Sequence, residues 1–326
     1  METDKKRIEF IDLAKGVCII LVVLLHMGLP IDEHVPLLQN LRMPLYFILS
    51  GLFFKTYGGF AQLCKKKINK ILIPFVFFYV ASYGIFYMLI TFAPSLSNSE
   101  ATGILDIFTQ RTTFNNPIWF LLCLFWCNLL FCAISVTTKE EWQRTIAVIT
   151  IGASGYLLNR CNVQIYGCID CAFSSLPMFY VGYMLNKTKL LYSNKFDKYT
   201  PLFAAAILCL ALLLVNIWPS RINYQTNEYF GNIIIAYSTS ILVVLSTLLI
   251  CKIIKHLPII SYFGRYSIIV LCTHEMIRKF VKPVLGILTD NVYVLAVVVL
   301  TICLAIIPLC IRFLPHVTAQ KDVLAS

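Results

Sequence analysis

Apolar residues along the chain come in long blocks separated by short polar connections, without the alternation expected of a half-buried strand. The first block runs from Phe10 to about Leu29, after a polar and basic start. Further blocks lie near 43–56, 71–93, 117–136, 144–159, 172–186, 201–219, 230–251, 258–277 and 292–314. A helical membrane crossing needs about 20 apolar residues, so this pattern predicts about ten transmembrane helices in one all-α bundle. The blocks near 43–56, 144–159 and 172–186 are short, which leaves re-entrant or tilted helices open there. No small-x-small cleavage site follows the first block, so it is read as a retained helix and not as a signal peptide.

Basic residues supply the orientation. With the N-terminus inside, 20 of the 27 Lys and Arg fall in inner connections and 7 in outer ones. This asymmetry is that of the positive-inside rule and predicts that both termini are cytoplasmic. The same argument accounts for the net charge of +11 without any nucleic acid partner. Composition agrees: 59% of residues are hydrophobic, 13% are charged, and the mean hydropathy is +0.79. A soluble domain has about 25% charged residues, and that class is excluded. No repeat or linker divides the chain, so residues 7–315 are expected to form one membrane domain, with 316–326 as a cytoplasmic tail. Most of the 13 cysteines lie within apolar blocks. Cys161, Cys168 and Cys171 share a polar connection, as free thiols or, facing an oxidising compartment, with one disulfide among them. No paired CxxC units suggest a metal, and none is expected.

Candidate chemistry comes from polar residues where the membrane makes them costly. The first helix carries Asp12, Lys15 and His26. At about 100° per residue, Lys15 lies about 60° from Asp12 and His26 about 20° from Lys15, so all three share one stripe. A charged side chain within a span costs about 2.5–3.5 kcal/mol, which favours a polar seam facing the bundle interior. An interfacial Asp12–Lys15 pair with a boundary histidine is the plainer account.

These residues also resemble a known family. Arg7-x4-Asp12-x2-Lys15-Gly16, an aliphatic run and then His26 is similar to the opening of the membrane acyltransferase 3 family. Met43-Pro44-Leu45-Tyr46-Phe47-Ile48-Leu49-Ser50-Gly51 resembles its second-segment motif, and Lys65-Lys66-Lys67-Ile68-Asn69-Lys70 before Ile73-Pro74 resembles its basic stretch. Pro117-Ile118-Trp119-Phe120-Leu121, Leu176-Pro177 with Gly182-Tyr183, and Phe263-Gly264-Arg265-Tyr266-Ser267 before Thr273-His274 continue the series in order. Among relatives, the chain looks most like sugar O-acetyltransferases of the fucose O-acetylase type. It departs from many in carrying Lys67-x-x-Lys70 for Arg-x-x-Arg, which keeps the charge and loses the bidentate fork.

The resemblance implies a membrane-bound O-acyltransferase, acting in polysaccharide modification at the cell envelope, in a bacterial inner membrane. The acyl group, acetyl by preference, would pass from cytoplasmic acyl-CoA, a co-substrate in place of any tightly bound cofactor, to a hydroxyl of a surface, lipid-linked or exported glycan. His26 is the expected base or acyl carrier, since imidazole titrates near neutrality. Asp12 stands about 21 Å away along the helix, too far to complete a triad with it. Asp12, Lys15 and Arg7 are expected at the inner mouth, with Lys67 and Lys70, one turn apart, as phosphate contacts or as anchors to anionic lipid. Ser50, Trp119, His274 and Glu275 are further catalytic or acceptor-binding candidates. Each has a structural alternative: close helix approach for Ser50, an interface aromatic for Trp119, an interhelical hydrogen bond for the last two. A secondary transporter or flippase for a small polar or glycan substrate is the competing class.

Overall fold

The computed structural model describes residues 8–92, 103–105, 114–192 and 197–324. Among these, the chain is almost wholly helical. It opens with α1 (Glu9–His26), the single turn α2 (Ile31–His34) and α3 (Arg42–Leu52). There follow α4 (Phe60–Lys67), α5 (Ile73–Phe92), α6 (Trp119–Thr137), α7 (Glu141–Arg160), α8 (Ile169–Thr188) and α9 (Thr200–Ile217). A hairpin of β1 (Arg221–Asn223) and β2 (Glu228–Phe230) comes before α10 (Ile233–Ile254), α11 (Pro258–Arg265), α12 (Ser267–Leu285) and α13 (Val292–Phe313).

Five helical stretches are long and apolar enough to cross a membrane: Phe60–Met88, Asn116–Thr137, Asp197–Ile217, Ile233–Ile254 and Val292–Phe313. The chain is an integral membrane protein. Among the described residues every one of the ten apolar blocks falls largely on helix, and two of them depart in form from a single span. α3 has only 11 residues, about 16 Å at 1.5 Å per residue, which is too short to cross a bilayer alone. The block at 258–277 is two helices, α11 and α12, separated at Tyr266.

Local chemistry explains several boundaries. Asn232 caps α10 by accepting from the Ile234 and Ile235 amides, and Asn291 caps α13 in the same way. Glu140 and Gln143 form a reciprocal capping box on α7. Between α4 and α5 the chain widens into a π-helical turn, Ile68–Leu72. Pro74 begins two residues later and has no N–H to offer the Lys70 carbonyl, a break that a wider turn accommodates.

Two helix crossings depend on glycine. A Cβ built on Gly264 of α11 would lie 1.7 Å from the Asp12 carbonyl oxygen of α1, and one on Gly16 would lie 1.8 Å from the Ile260 oxygen of α11. Likewise Gly51 of α3 would meet the Phe179 oxygen at 1.8 Å, and Gly182 of α8 the Ile48 oxygen at 1.8 Å. Backbones in contact at this range pack by dispersion over their whole crossing, the usual use of small residues between membrane helices. α1 on α11 and α3 on α8 are accordingly the most intimate pairs of the bundle. Around them α10 packs on α9, α8 on α7, and α13 on α12.

Candidate functional site

α1, α3 and α6 each line two cavities. The first, about 270 Å³, is bordered by Val22, His26, Met43 and Trp119, by Asp32, Gln39 and Arg42, and by the hairpin. The second, about 250 Å³, is bordered by Lys15, Tyr46, Ser50, Phe120, Lys67 and Lys70, with Ser267 and Leu271 of α12. Lys15 and His26 are eleven residues apart on α1, about 16 Å along its axis. The stripe read from the sequence thus opens to a lysine cavity at one level and a histidine cavity at another. Tyr46 and Phe120, with ring centroids 5.6 Å apart, stand in the lysine cavity one turn or less from Met43 and Trp119 of the other.

His26 does not stand alone. Its ring meets that of His274 on α12 edge to face, with centroids 5.1 Å apart. His26 Nδ1 lies 2.8 Å from the Val22 carbonyl, and His274 Nδ1 lies 2.7 Å from the Val270 carbonyl. A carbonyl can only accept, so each Nδ1 carries a proton, and in its neutral form each ring presents its lone pair at Nε2. His274 is completely buried, and its Nε2 has no hydrogen-bond partner. His26 is half-buried and opens to the cavity. Glu275, beside His274, is also buried, and its carboxylate is taken by Arg278 in two hydrogen bonds of 2.9 and 2.5 Å. It is a charge partner for Arg278 one turn on.

The other sequence-predicted residues divide between the cavities. Trp119 is buried in the wall of the histidine cavity. Ser50 belongs with Lys15 in the lysine cavity, where Asn128 donates to it at 3.4 Å, and not beside His26. Lys15 lies over the Phe53 ring at 5.8 Å. Asp12 lines neither cavity; its backbone forms the crossing with α11. Arg7 lies outside the described residues. Lys67 faces the lysine cavity, whereas Lys70 both borders it and reaches the C-terminal segment. There Lys70 donates to the Ala319 carbonyl at 2.8 Å and pairs with Asp322 at 2.8 Å, and Lys66 pairs with the same carboxylate at 2.7 Å. Asn69 fastens the segment through the Val323 and Leu324 amides. Hydrogen bonds from Lys66 and Lys70 hold the Asp322 carboxyl below its ordinary pKa.

Sequence reading missed three features. Arg42, buried at the start of α3, grips Asp32 through two hydrogen bonds of 2.6 and 2.5 Å and so walls the histidine cavity with a neutral ion pair. The hairpin is anchored by Asn227, which accepts from Ser174 at 2.6 Å and donates to the Gly155 carbonyl at 2.9 Å. The tail closes against the basic turn. An opposite-charge pair spanning a short polar connection, as Asp32 and Arg42 do, is the one signal the sequence offered for the first. Cys161, Cys168 and Cys171 are free thiols, the last two buried.

Neither the curated proteins nor the solved structures give a match to this chain. A family model described as an acyltransferase domain matches residues 8–310, nearly the whole chain and all of the elements that build both cavities. The chain belongs to the acyltransferase 3 family and is a membrane acyltransferase.

Proposed function

We propose that the protein transfers an acetyl group from cytoplasmic acetyl-CoA to a hydroxyl of a sugar in a lipid-linked, exported or cell-surface glycan, in the manner of the fucose O-acetylase-like enzymes. The observation that carries the reading is the pairing of a lysine-lined cavity with a histidine-lined one on the same three helices. Phosphates of the donor would meet Lys67 and Lys15, with Lys70 available once the tail carboxylate gives way. The flexible pantetheine arm would carry the thioester along the α1–α3–α6 seam toward His26. An acceptor hydroxyl would enter from the other side, against Trp119.

The chemistry needs one proton removed and one returned. His26 Nε2 takes the proton of the attacking hydroxyl, the C–S bond of the thioester breaks as the ester C–O bond forms, and the thiolate leaves with that proton as free coenzyme A. An acyl-histidine route uses the same lone pair. His274 keeps a second neutral imidazole against the first.

In this reading ten apolar segments traverse the inner membrane of a bacterium with both termini in the cytoplasm, residues 7–315 forming the domain and 316–326 the tail. The short α3 completes its crossing with the preceding Pro36–Asn40 turn, and α11 with α12 makes one crossing. The test is incubation of purified protein with labelled acetyl-CoA and candidate glycans. Label should move to the glycan and depend on His26. Movement of unmodified solute across liposomes without transfer of label would favour a transporter instead.

A further inference from the structure

The hairpin β1–β2 lies over the histidine cavity, and Arg221, Ile222, Asn223, Tyr224, Gln225 and Phe230 all border it. Three ionised side chains line that cavity: Asp32, Arg42 and Arg221. Asp32 and Arg42 neutralise each other. Among the described residues Arg221 has no carboxylate partner, and the hairpin's own acid, Glu228, is engaged by Asn223 at 3.3 Å and Thr226 at 2.6 Å. The cavity that presents His26 therefore carries one uncompensated positive charge.

That charge is held in place. The Arg221 guanidinium lies 4.5 Å from the centroid of the Phe230 ring, its cross-strand neighbour, and one of its terminal nitrogens donates to Gln39. Asn40, next to Gln39, donates to the Ser220 carbonyl at 3.1 Å, so the hairpin and the Pro36–Asn40 turn are tied together at the arginine and at the residue before it. A guanidinium has five N–H donors, and most of these remain for a ligand. A planar fork fixed by stacking recognises an oxyanion in bidentate fashion at little cost in side-chain entropy. In the topology proposed above, the position also runs against the basic bias, since residue 221 falls on the side of the membrane with few Lys and Arg.

We infer that the acceptor bears an oxyanion, a sugar carboxylate or phosphate, seated by Arg221 while His26 addresses a hydroxyl of the same glycan. The inference rests on the acyltransfer reading above and narrows its acceptor to an anionic sugar. The amide nitrogen of Gln39 supplies a hydroxyl contact, and Trp119 supplies an apolar wall.

The test uses the full chain purified in detergent and two matched pairs of probes. One pair is methyl glucuronoside and its uronamide; the other is methyl glucoside 6-phosphate and methyl glucoside. Calorimetry should show the charged member of at least one pair binding about tenfold more tightly than its neutral partner, and the pair that does so distinguishes carboxylate from phosphate. Arg221→Gln should abolish the preference within the pair, whereas Arg221→Lys should retain part of it. Equal affinity within both pairs, no binding of any of the four, or a preference that survives Arg221→Gln would overturn the inference. In the same preparation, His26-dependent release of coenzyme A to a neutral glycan mixture separates the two failures. It persists if only the anionic preference is wrong and is absent if the acyltransfer reading is wrong.

Discussion

Gly264→Ala should do more damage than its one methyl group suggests. The added Cβ would stand 1.7 Å from the Asp12 carbonyl oxygen and 2.6 Å from the Gly16 nitrogen, against an ordinary contact of at least 3.4 Å. About 1.7 Å of relief must come from backbone on both sides, because no flexible side chain stands in the way. Alanine gains about 1 kcal/mol over glycine in helix propensity. Overpacking a close contact costs about 1–3 kcal/mol and sometimes more, and a clash of backbone on backbone belongs at the upper end. The net expectation is a loss of about 2 kcal/mol, with α11 and the following α12 displaced from α1 and the His26–His274 contact loosened. Reversible unfolding in mixed micelles measures the first effect. Gly84→Ala is the control, since a Cβ there meets nothing within 4 Å and should be neutral or slightly stabilising. If Gly264→Ala proves as stable as Gly84→Ala, the packing argument for the α1–α11 crossing fails.

Other expectations concern the basic turn, the tail and the topology. Lys67→Ala should raise the KM for acetyl-CoA about tenfold, as loss of one charge-assisted phosphate contact would, with the acceptor KM little changed; Lys70→Ala should act less, because Asp322 already engages that ammonium. An unchanged donor KM in the double variant would return these lysines to lipid anchoring. Asp322 is held more acidic in the folded protein than free, so its anchoring is complete above the ordinary carboxylate range and fades as pH falls through the depressed value. Asp322→Asn should therefore speed hydrogen exchange at 315–324 at pH 7, and the difference from the parent should vanish in acid; a difference that grows in acid contradicts the sign. Reporter fusions at Ser326 and in the 93–116 connection should report opposite faces of the membrane, and a same-side result breaks the ten-crossing topology.

The helices were legible because a bilayer imposes a long apolar block on each crossing, and those blocks survive any detail of packing. Their pairing was not. Gly16 and Gly264, or Gly51 and Gly182, meet only because distant segments fold together, and a motif letter does not name its partner. The break at Tyr266 falls on the short polar run Gly264-Arg265-Tyr266-Ser267, which the flanking apolar residues hid inside a single block. Periodicity placed Asp12, Lys15 and His26 on one stripe of a helix, but it could not tell that α11 would cover the Asp12 end. Ser50 borders the lysine cavity because it lies seven residues, about 10 Å, along α3 from the Met43 that borders the other. The hairpin was invisible: three residues per strand are too few for alternation to register, and its hold comes from Asn227 bonding to α7 and α8. Asp322 lies in the expected 316–326 tail, and only the fold shows that it returns to Lys66 and Lys70.

The central claim is that the half-buried imidazole of His26 performs the transfer. Single-turnover acetyl transfer at saturating acetyl-CoA, with monodisperse His26→Ala matched to the parent protein, tests it most directly. General-base catalysis contributes about 10²–10⁴-fold, so a fall of at least 100-fold with retained donor binding is expected. Turnover within a few-fold of the parent would contradict the assignment and shift the chemistry to His274.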